Sequence, residues 1–286
     1  MKVGWVGVGK MGLPMASHLL AAGHAVSACD SAASAVQAIV ARGARGADSP
    51  AAATRDAEVV FSSIPDDAAL HVVAKGVFSV ARSGAVYVDT STVSPGASAE
   101  VAAAARARGV HYLRVCVSGN NKMAEARALT VIASGDKAVY EKCRPLLAQF
   151  GPTQYYVGEA EQARTLKLAI NLMVYATIGG LAEALVLGER GGVDWKQMLD
   201  VMAASAIGSP LLKNKSADLK KRDFTATFSC LQARKDLTLI NGAAAASRIP
   251  APLAAELARM IEDCIAHGSA DEDYAAMVKA VRRRAK

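Results

Sequence analysis

Hydrophobic positions are patterned differently in the two halves of the chain. In the first half, short apolar runs suited to strands fall at 3–8, 25–30, 58–64, 85–89, 111–115, 129–133 and 154–157. Between them lie stretches with helical spacing of apolar residues, at 11–22, 34–42, 68–74, 97–108 and 138–149. Strands separated by helices of this length imply βαβ units, right-handed crossovers and a parallel sheet. Gly151-Pro152 and Gly158 punctuate the end of that region, and the alternation then stops. A single helical pattern runs over 159–189, and everything beyond it also reads as helix, broken at Gly191-Gly192, Gly208-Ser209-Pro210 and Arg248-Ile249-Pro250. The expected architecture is an α/β domain with a parallel sheet over 1–158. An all-α domain follows over 159–286, joined to the first by one long helix.

Composition supports a folded chain: 286 residues, 52% apolar and only 21% charged, which is too apolar for a disordered polymer. The net charge of +7 invites a nucleic-acid reading, but Arg282, Arg283, Arg284 and Lys286 at the C-terminus carry four of those charges. A basic end of this kind is expected to be solvated and partly disordered, and no basic stripe is interleaved with aromatics, so no nucleic acid is expected. The five cysteines are an odd number and widely spaced, without a C-x-x-C pair. That pattern suits neither a disulfide framework nor a zinc site; it points to a reducing, cytoplasmic setting with no metal. Residues 168–188 are apolar enough to imitate a membrane span. However, Asn171, Glu183 and Gly179-Gly180 within them, bracketed by Lys167 and Glu189, fit a buried core helix better, and no membrane is expected.

The first strand runs into Gly7-Val8-Gly9-Lys10-Met11-Gly12, a G-x-G-x-x-G that opens a helix. Its glycines permit a tight turn and close backbone approach, so that the helix N-terminus can hold a pyrophosphate. Asp30 ends the second strand, where a carboxylate can accept hydrogen bonds from an adenosine ribose and repels a 2′-phosphate. The alternative for Asp30 is a cap on the following helix. Together these residues make 1–158 a Rossmann-type domain, with NAD preferred over NADP.

The run from Gly4 to Ala16 resembles the opening signature of the β-hydroxyacid dehydrogenases, typified by 3-hydroxyisobutyrate dehydrogenase and tartronate semialdehyde reductase. The resemblance continues in order along nearly the whole chain. Asp89-Thr90-Ser91-Thr92-Val93-Ser94-Pro95 is similar to the family's D-x-S-T-x-x-P loop, and Val117-Ser118-Gly119 to part of its substrate-binding stretch. Leu129-Thr130-Val131 matches the strand after it, and Lys167 with Asn171 the K-x-x-x-N of the catalytic helix. Phe228, Leu231, Lys235-Asp236-Leu237 and Leu239 match the late F-x-x-x-L-x-x-K-D-L-x-L. This resemblance implies hydride transfer between NAD(H) and a small 3-hydroxy acid or the corresponding semialdehyde carboxylate.

Lys167 and Asn171 lie four apart in an otherwise apolar helix and so project from one face, which demands a polar destination such as an interdomain cleft. A lysine ammonium there can protonate the alkoxide that forms when a carbonyl accepts hydride, and in reverse its amine takes the hydroxyl proton. Ser118 and Gly119 offer a hydroxyl and backbone N–H groups that suit a carboxylate. The resemblance places Thr92, Ile64 and Pro65 against the cofactor and Lys235 at its nicotinamide end, within reach of substrate. Without the resemblance, Lys235-Asp236 would read as a surface ion pair. The stretch 159–189 is apolar over more of its circumference than a surface helix should be, which predicts a homodimer or homotetramer formed through the helical domain.

The chain departs from the family over Arg114-Val115-Cys116-Val117-Ser118-Gly119-Asn120-Asn121, where D-A-P-V-S-G-G is usual. Asn120 adds an amide beside the substrate position, and Arg127 stands where glycine is common. These changes leave the particular hydroxy acid open. Cys116 reads as a packed thiol, since no neighbouring histidine activates it, and Met198, Leu199 and Met202 read as core. Ile170 and Val174 replace the histidine and glutamate of the 6-phosphogluconate dehydrogenase helix, which excludes that decarboxylating reaction. The alternative of another class is a catalytically silent NAD-binding or interaction module; retention of Lys167 favours the enzyme.

Overall fold

The computed structural model describes residues 1–285, which divide into two compact units, Met1–Lys167 and Leu168–Lys286. The first unit alternates strand and helix throughout: β1 Lys2–Val6, α1 Gly12–Ala21, β2 Ala25–Cys29, α2 Ala33–Val40, β3 Arg45–Gly46, α3 Pro50–Thr54, β4 Val59–Ser62 and α4 Asp67–Val80. It continues with β5 Val86–Asp89, α5 Pro95–Ala107, β6 His111–Ser118, α6 Asn121–Glu125, β7 Thr130–Ser134, α7 Lys137–Leu147 and β8 Thr153–Tyr156. These strands form one sheet in the order β3-β2-β1-β4-β5-β6-β7-β8. The expected α/β Rossmann-type domain is therefore found, with three short elements added.

One of those additions is legible afterwards: Ser49 caps α3 by accepting the Ala52 N–H at 3.1 Å, with Pro50 in the first turn. The two-residue β3 and the single turn α6 are too short to carry a period. The expectation of a parallel sheet needs one correction, because β6 and β7 are antiparallel, with Ser118 opposite Thr130. The connection over 119–129 turns the chain straight back instead of carrying it across the sheet, as a parallel neighbour would require.

The central strands β4 and β5 are buried along their whole length, as strands covered on both faces must be. On one face Trp5 stacks on Phe61 with ring centres 5.1 Å apart, and Phe150 meets both rings edge-on. On the other face Tyr87 packs against Phe78 and Tyr112.

The long helix α8, Gln162–Arg190, starts inside the first unit. The division into compact units falls at Lys167/Leu168, because Ala163 and Arg164 are buried among residues of the sheet's carboxyl end. The second unit comprises the rest of α8, then α9 Trp195–Ala204, α10 Pro210–Leu219, α11 Cys230–Ala246 and α12 Pro252–Ala266. A 3₁₀ turn at Tyr274–Ala276 and α13 Met277–Arg284 complete it. By length and composition α8 could cross a bilayer, yet Tyr175, Ile178, Leu181, Leu185 and Val186 pack into the helical core with Met198 and Leu199. Met202 packs against that core from its edge.

The basic end is ordered, contrary to expectation. Arg282 grips Glu189 with two hydrogen bonds of 2.8 Å, Arg283 pairs with Asp263 at 2.6 Å and Arg284 with Glu256 at 2.7 Å. Carboxylates on α8 and α12 thus spend the charge that the sequence left facing solvent; Lys286 lies outside the described residues.

Candidate active site

The turn after β1 shows which glycines the fold itself needs. Gly7 takes φ +87°, donates its N–H to the Cys29 carbonyl at 2.9 Å, and a Cβ on it would strike the Ser63 carbonyl. A Cβ on Gly12 would collide with the Gly7 carbonyl oxygen. Gly9 is different, since nothing lies within 4 Å of the position its Cβ would take. The fold therefore leaves open space beside Gly9, and the N-terminus of α1 carries no side-chain cap, the Leu13 N–H being taken by the Gly9 carbonyl at 2.9 Å. A pyrophosphate fits this arrangement: close backbone approach, no side-chain cap over the helix start and the positive end of a helix dipole. Val8 is buried, Lys10 is exposed, and Met11 is half-buried beneath the turn.

Asp30 is held at the end of β2 by the backbone. Its Oδ2 accepts the Val8 N–H at 2.8 Å and its Oδ1 the Ala32 N–H at 2.9 Å. It does not cap α2, whose N-cap is Ala32. The carboxylate is thus fixed beside the glycine turn, where a ribose can reach it. Burial and this neighbouring charge push the Cys29 thiol up to about 12, so it stays protonated.

Past β4 and β5 a polar network fixes the other loops of the sheet's carboxyl end. The Ile64 N–H donates to Ser91 Oγ at 2.9 Å, and Ser91 Oγ donates to Asp89 Oδ1 at 2.7 Å. Asp89 pairs with Arg164 of α8 at 2.5 Å, and neither side chain has any exposed surface. Pro65 is exposed and Thr92 half-buried in the loops so fixed. Neither Asp89 nor Arg164 was singled out from sequence as a functional residue. The available signals were a charged residue ending a buried strand and an arginine in an apolar helix.

Ser118 closes β6, and Gly119 follows with φ +139°. A side chain on Gly119 would press on Leu129 and Met123. The Asn120 amide oxygen accepts the Met123 N–H at 3.0 Å and so caps α6, which gives this departure a structural use. Arg127 takes φ +55°, the conformation that glycine favours at this position, and its Nε donates to His18 Nδ1 at 3.0 Å. Arg114 forms an ion pair with Glu161 at 2.5 Å.

Lys167 sits half-buried one turn after Arg164, and its charge is felt at Cys116, two residues before Ser118 on the same face of β6. Burial holds the Cys116 thiol above its ordinary value although Arg164 and Lys167 pull it down, so it is no nucleophile. One turn further along α8, Asn171 donates through Nδ2 to Asp236 Oδ2 at 2.8 Å, and Tyr175 donates to the same oxygen at 3.1 Å. Lys235 pairs with Asp236 Oδ1 at 2.8 Å. The surface-pair reading of Lys235-Asp236 is therefore replaced: Asp236 is 1% exposed and organises Asn171, Tyr175 and Lys235 together. No cluster of metal-ligating side chains occurs among the described residues.

Fold and site together define a nicotinamide-dependent oxidoreductase. Residues 2–158 match the family described as the NAD binding domain of 6-phosphogluconate dehydrogenase, and residues 162–281 that described as NAD-binding of NADP-dependent 3-hydroxyisobutyrate dehydrogenase. The chain belongs to the β-hydroxyacid dehydrogenases, NAD(P)-dependent enzymes of hydroxy acids. The 2-(hydroxymethyl)glutarate dehydrogenase of Eubacterium barkeri is 33% identical over 98% of this chain and 94% of its own. Mycobacterium tuberculosis 3-hydroxyisobutyrate dehydrogenase, solved with L-serine, superposes with a TM-score of 0.90 at 28% identity, covering 98% of both chains. Psf3, solved with NADP+ and 2-OPP, superposes at 0.86 with 27% identity over 98% of this chain and 99% of its own.

Proposed function

We propose that this enzyme interconverts a small 3-hydroxy acid and its semialdehyde carboxylate, with Lys167 as general acid–base and NAD as the preferred cofactor. The observation that supports the reading is that the half-buried Lys167 acts on the Cys116 thiol, two residues before Ser118 on β6. Gly7 to Gly12, Asp30, Ile64, Pro65, Thr92 and Lys235 would hold the dinucleotide, whose nicotinamide supplies or accepts the hydride. Ser118 and the backbone at Gly119 and Asn120 bind the substrate carboxylate. The Lys167 ammonium gives its proton to the carbonyl oxygen as reduction proceeds, and in oxidation the neutral amine removes it from the hydroxyl. Asn171, aimed by Asp236, orients the lysine or the substrate without carrying the proton.

The NAD preference rests on Asp30, whose carboxylate is fixed by two backbone N–H groups and would repel a 2′-phosphate. A reducing compartment suits five cysteines that are all free and buried. Self-association through the helical unit suits Met173 and Leu187, 66% and 76% exposed on one face of α8. A monomer by light scattering at micromolar concentration would refute that association.

The decisive experiment is a panel of 3-hydroxyisobutyrate, glycerate, threonate and β-hydroxy amino acids with NAD and NADP, plus the semialdehydes in reverse, followed at the NADH absorbance. Oxidation of at least one member is expected, with higher kcat/KM for NAD. Equal or better turnover with NADP would show that Asp30 does not face the ribose. Lys167→Ala should lower kcat by about 10²- to 10⁴-fold with NAD affinity nearly intact, the usual range for a positioned proton-transfer group. Retention of a tenth or more of the activity would defeat the assignment.

A further inference from the structure

Helix starts are loose by nature, because the first four N–H groups have no partner in the helix. The start of α8 is instead fastened at several points. Ala163 donates its N–H to Ser134 Oγ at 3.2 Å, while that hydroxyl donates to the Ala160 carbonyl at 2.6 Å. Arg114 of β6 holds Glu161 through Nε at 2.8 Å and Nη2 at 2.5 Å. The Arg164 guanidinium distributes its N–H groups over five residues. Nη1 donates to the Ser91 carbonyl at 2.6 Å and to Cys116 Sγ at 3.5 Å. Nη2 donates to Asp89 Oδ2 at 2.5 Å and to the Tyr112 hydroxyl at 3.1 Å, and Nε donates to Ser98 Oγ at 3.3 Å. This saturates the donor fork of an arginine.

Stability alone does not call for such a device. A buried ion pair is costly to desolvate, and well-packed apolar side chains often do as well or better. What the pair supplies is geometry: the Asp89 carboxylate at the end of β5 and a planar fork on α8 admit one register of helix on sheet. Lys167 leaves α8 three residues after Arg164, and both cations act on the same Cys116 thiol.

We propose that Arg164 and Asp89 are positioning residues for Lys167, fixing the turn that carries it against the loop Asp89–Pro95. The proposal rests on the reading of Lys167 as the proton-transfer group. It adds that the ion pair acts on turnover only through that lysine. Misplacement of a reacting group by about 1 Å can cost about 10²-fold in rate, so even small movement of this turn will register.

The test is a double-mutant cycle. Asp89→Asn combined with Arg164→Gln removes both charges and so leaves neither buried alone; Arg164→Lys is the conservative companion that keeps the pair with Asp89. Each is made with Lys167 intact and with Lys167→Ala, and assayed at high enzyme concentration with NADH and the best semialdehyde of the panel. With Lys167 present, the charge-free pair should lower kcat by about 10- to 100-fold and leave the dissociation constant for NADH within about threefold, while Arg164→Lys alone should lose less than the charge-free pair. In the Lys167→Ala background the same changes should cost less than twofold. Amide exchange over residues 164–168, measured with NADH absent, should accelerate about tenfold in the charge-free pair. An equal loss of kcat in both backgrounds, or unchanged exchange in a folded variant, would overturn the positioning role while leaving Lys167 in place. An active Lys167→Ala would instead remove the proton assignment, and the positioning role with it.

Discussion

Among the described residues the first unit holds one buried aspartate, Asp89, and the second holds two, Asp236 and Asp273; Asp89 and Asp236 are satisfied in opposite ways. Asp89 in the first unit meets an arginine on another element with both side chains wholly buried, so neither has anywhere else to go. Asp236 in the second unit receives Asn171, Tyr175 and the neighbouring Lys235, whose side chain is 31% exposed. A guanidinium spends its fixed fork inside the protein and becomes a joint. The Lys235 ammonium, on a flexible stem and part-exposed, stays in contact with solvent while it pairs with Asp236. The same chemical group, a buried aspartate, thus anchors a closed joint in one place and a part-exposed hub in the other, and its partner's exposure decides which.

The largest effect expected from this difference is on folding. Arg164→Met leaves the buried Asp89 carboxylate without its cation, held only by the Ser62 and Ser91 hydroxyls, and removes partners from Ser98, Tyr112 and the Ser91 carbonyl. Breaking one side of a buried pair costs about 3–5 kcal/mol, so the denaturation midpoint should drop steeply. A change below about 1 kcal/mol by urea titration would mean that water reaches Asp89 and that it is no joint.

The helical hub should respond in the opposite sense. Lys235→Met removes a part-exposed cation from an aspartate that keeps Asn171 and Tyr175, and partly exposed pairs contribute about 1 kcal/mol or less. Stability should therefore hold while NAD binding weakens measurably by calorimetry. Asn171→Ala should lower kcat less than Lys167→Ala does, since it orients and transfers no proton. If Lys235→Met destabilised the protein as much as Arg164→Met, the contrast between joint and poised carboxylate would collapse.

How much of this was legible beforehand follows the same division. The seven strands long enough to show a period, the long helix and the glycine turn could all be read, because apolar spacing and φ requirements are local properties. Gly9 and Gly12 look alike in sequence; only the packing shows that Gly12 serves the turn and that Gly9 leaves room for a ligand. The antiparallel return of β7 was hidden, since a strand's direction is set by its connection and not by its composition. Asp89 with Arg164 lie 75 positions apart, and Asn171 with Asp236 lie 65 apart, so no window of sequence contains either pair. The ordered basic end escaped for the same reason, because its acceptors lie on α8 and α12.

That basic end gives the smallest effect and a control in the exposed regime. Partial burial works against ionisation of Glu189, but hydrogen bonds from Arg222 and Arg282 outweigh it and hold the carboxyl below its ordinary value of 4.5. A carboxyl with a lowered value in the folded state binds its proton more weakly there than in the unfolded chain. Its contribution is therefore fully present above about 4.5 and is lost as pH falls through the folded value. The Glu189 side chain is 35% exposed and solvent screens its pairs, so the loss should be a fraction of about 1 kcal/mol. Melting temperatures recorded between pH 6 and 3 should fall in the acid limb, and Glu189→Gln should flatten that limb slightly without moving the plateau by more than a degree or two. A Glu189→Gln plateau lowered as far as that of Arg164→Met would show that exposure does not separate weak pairs from joints in this protein.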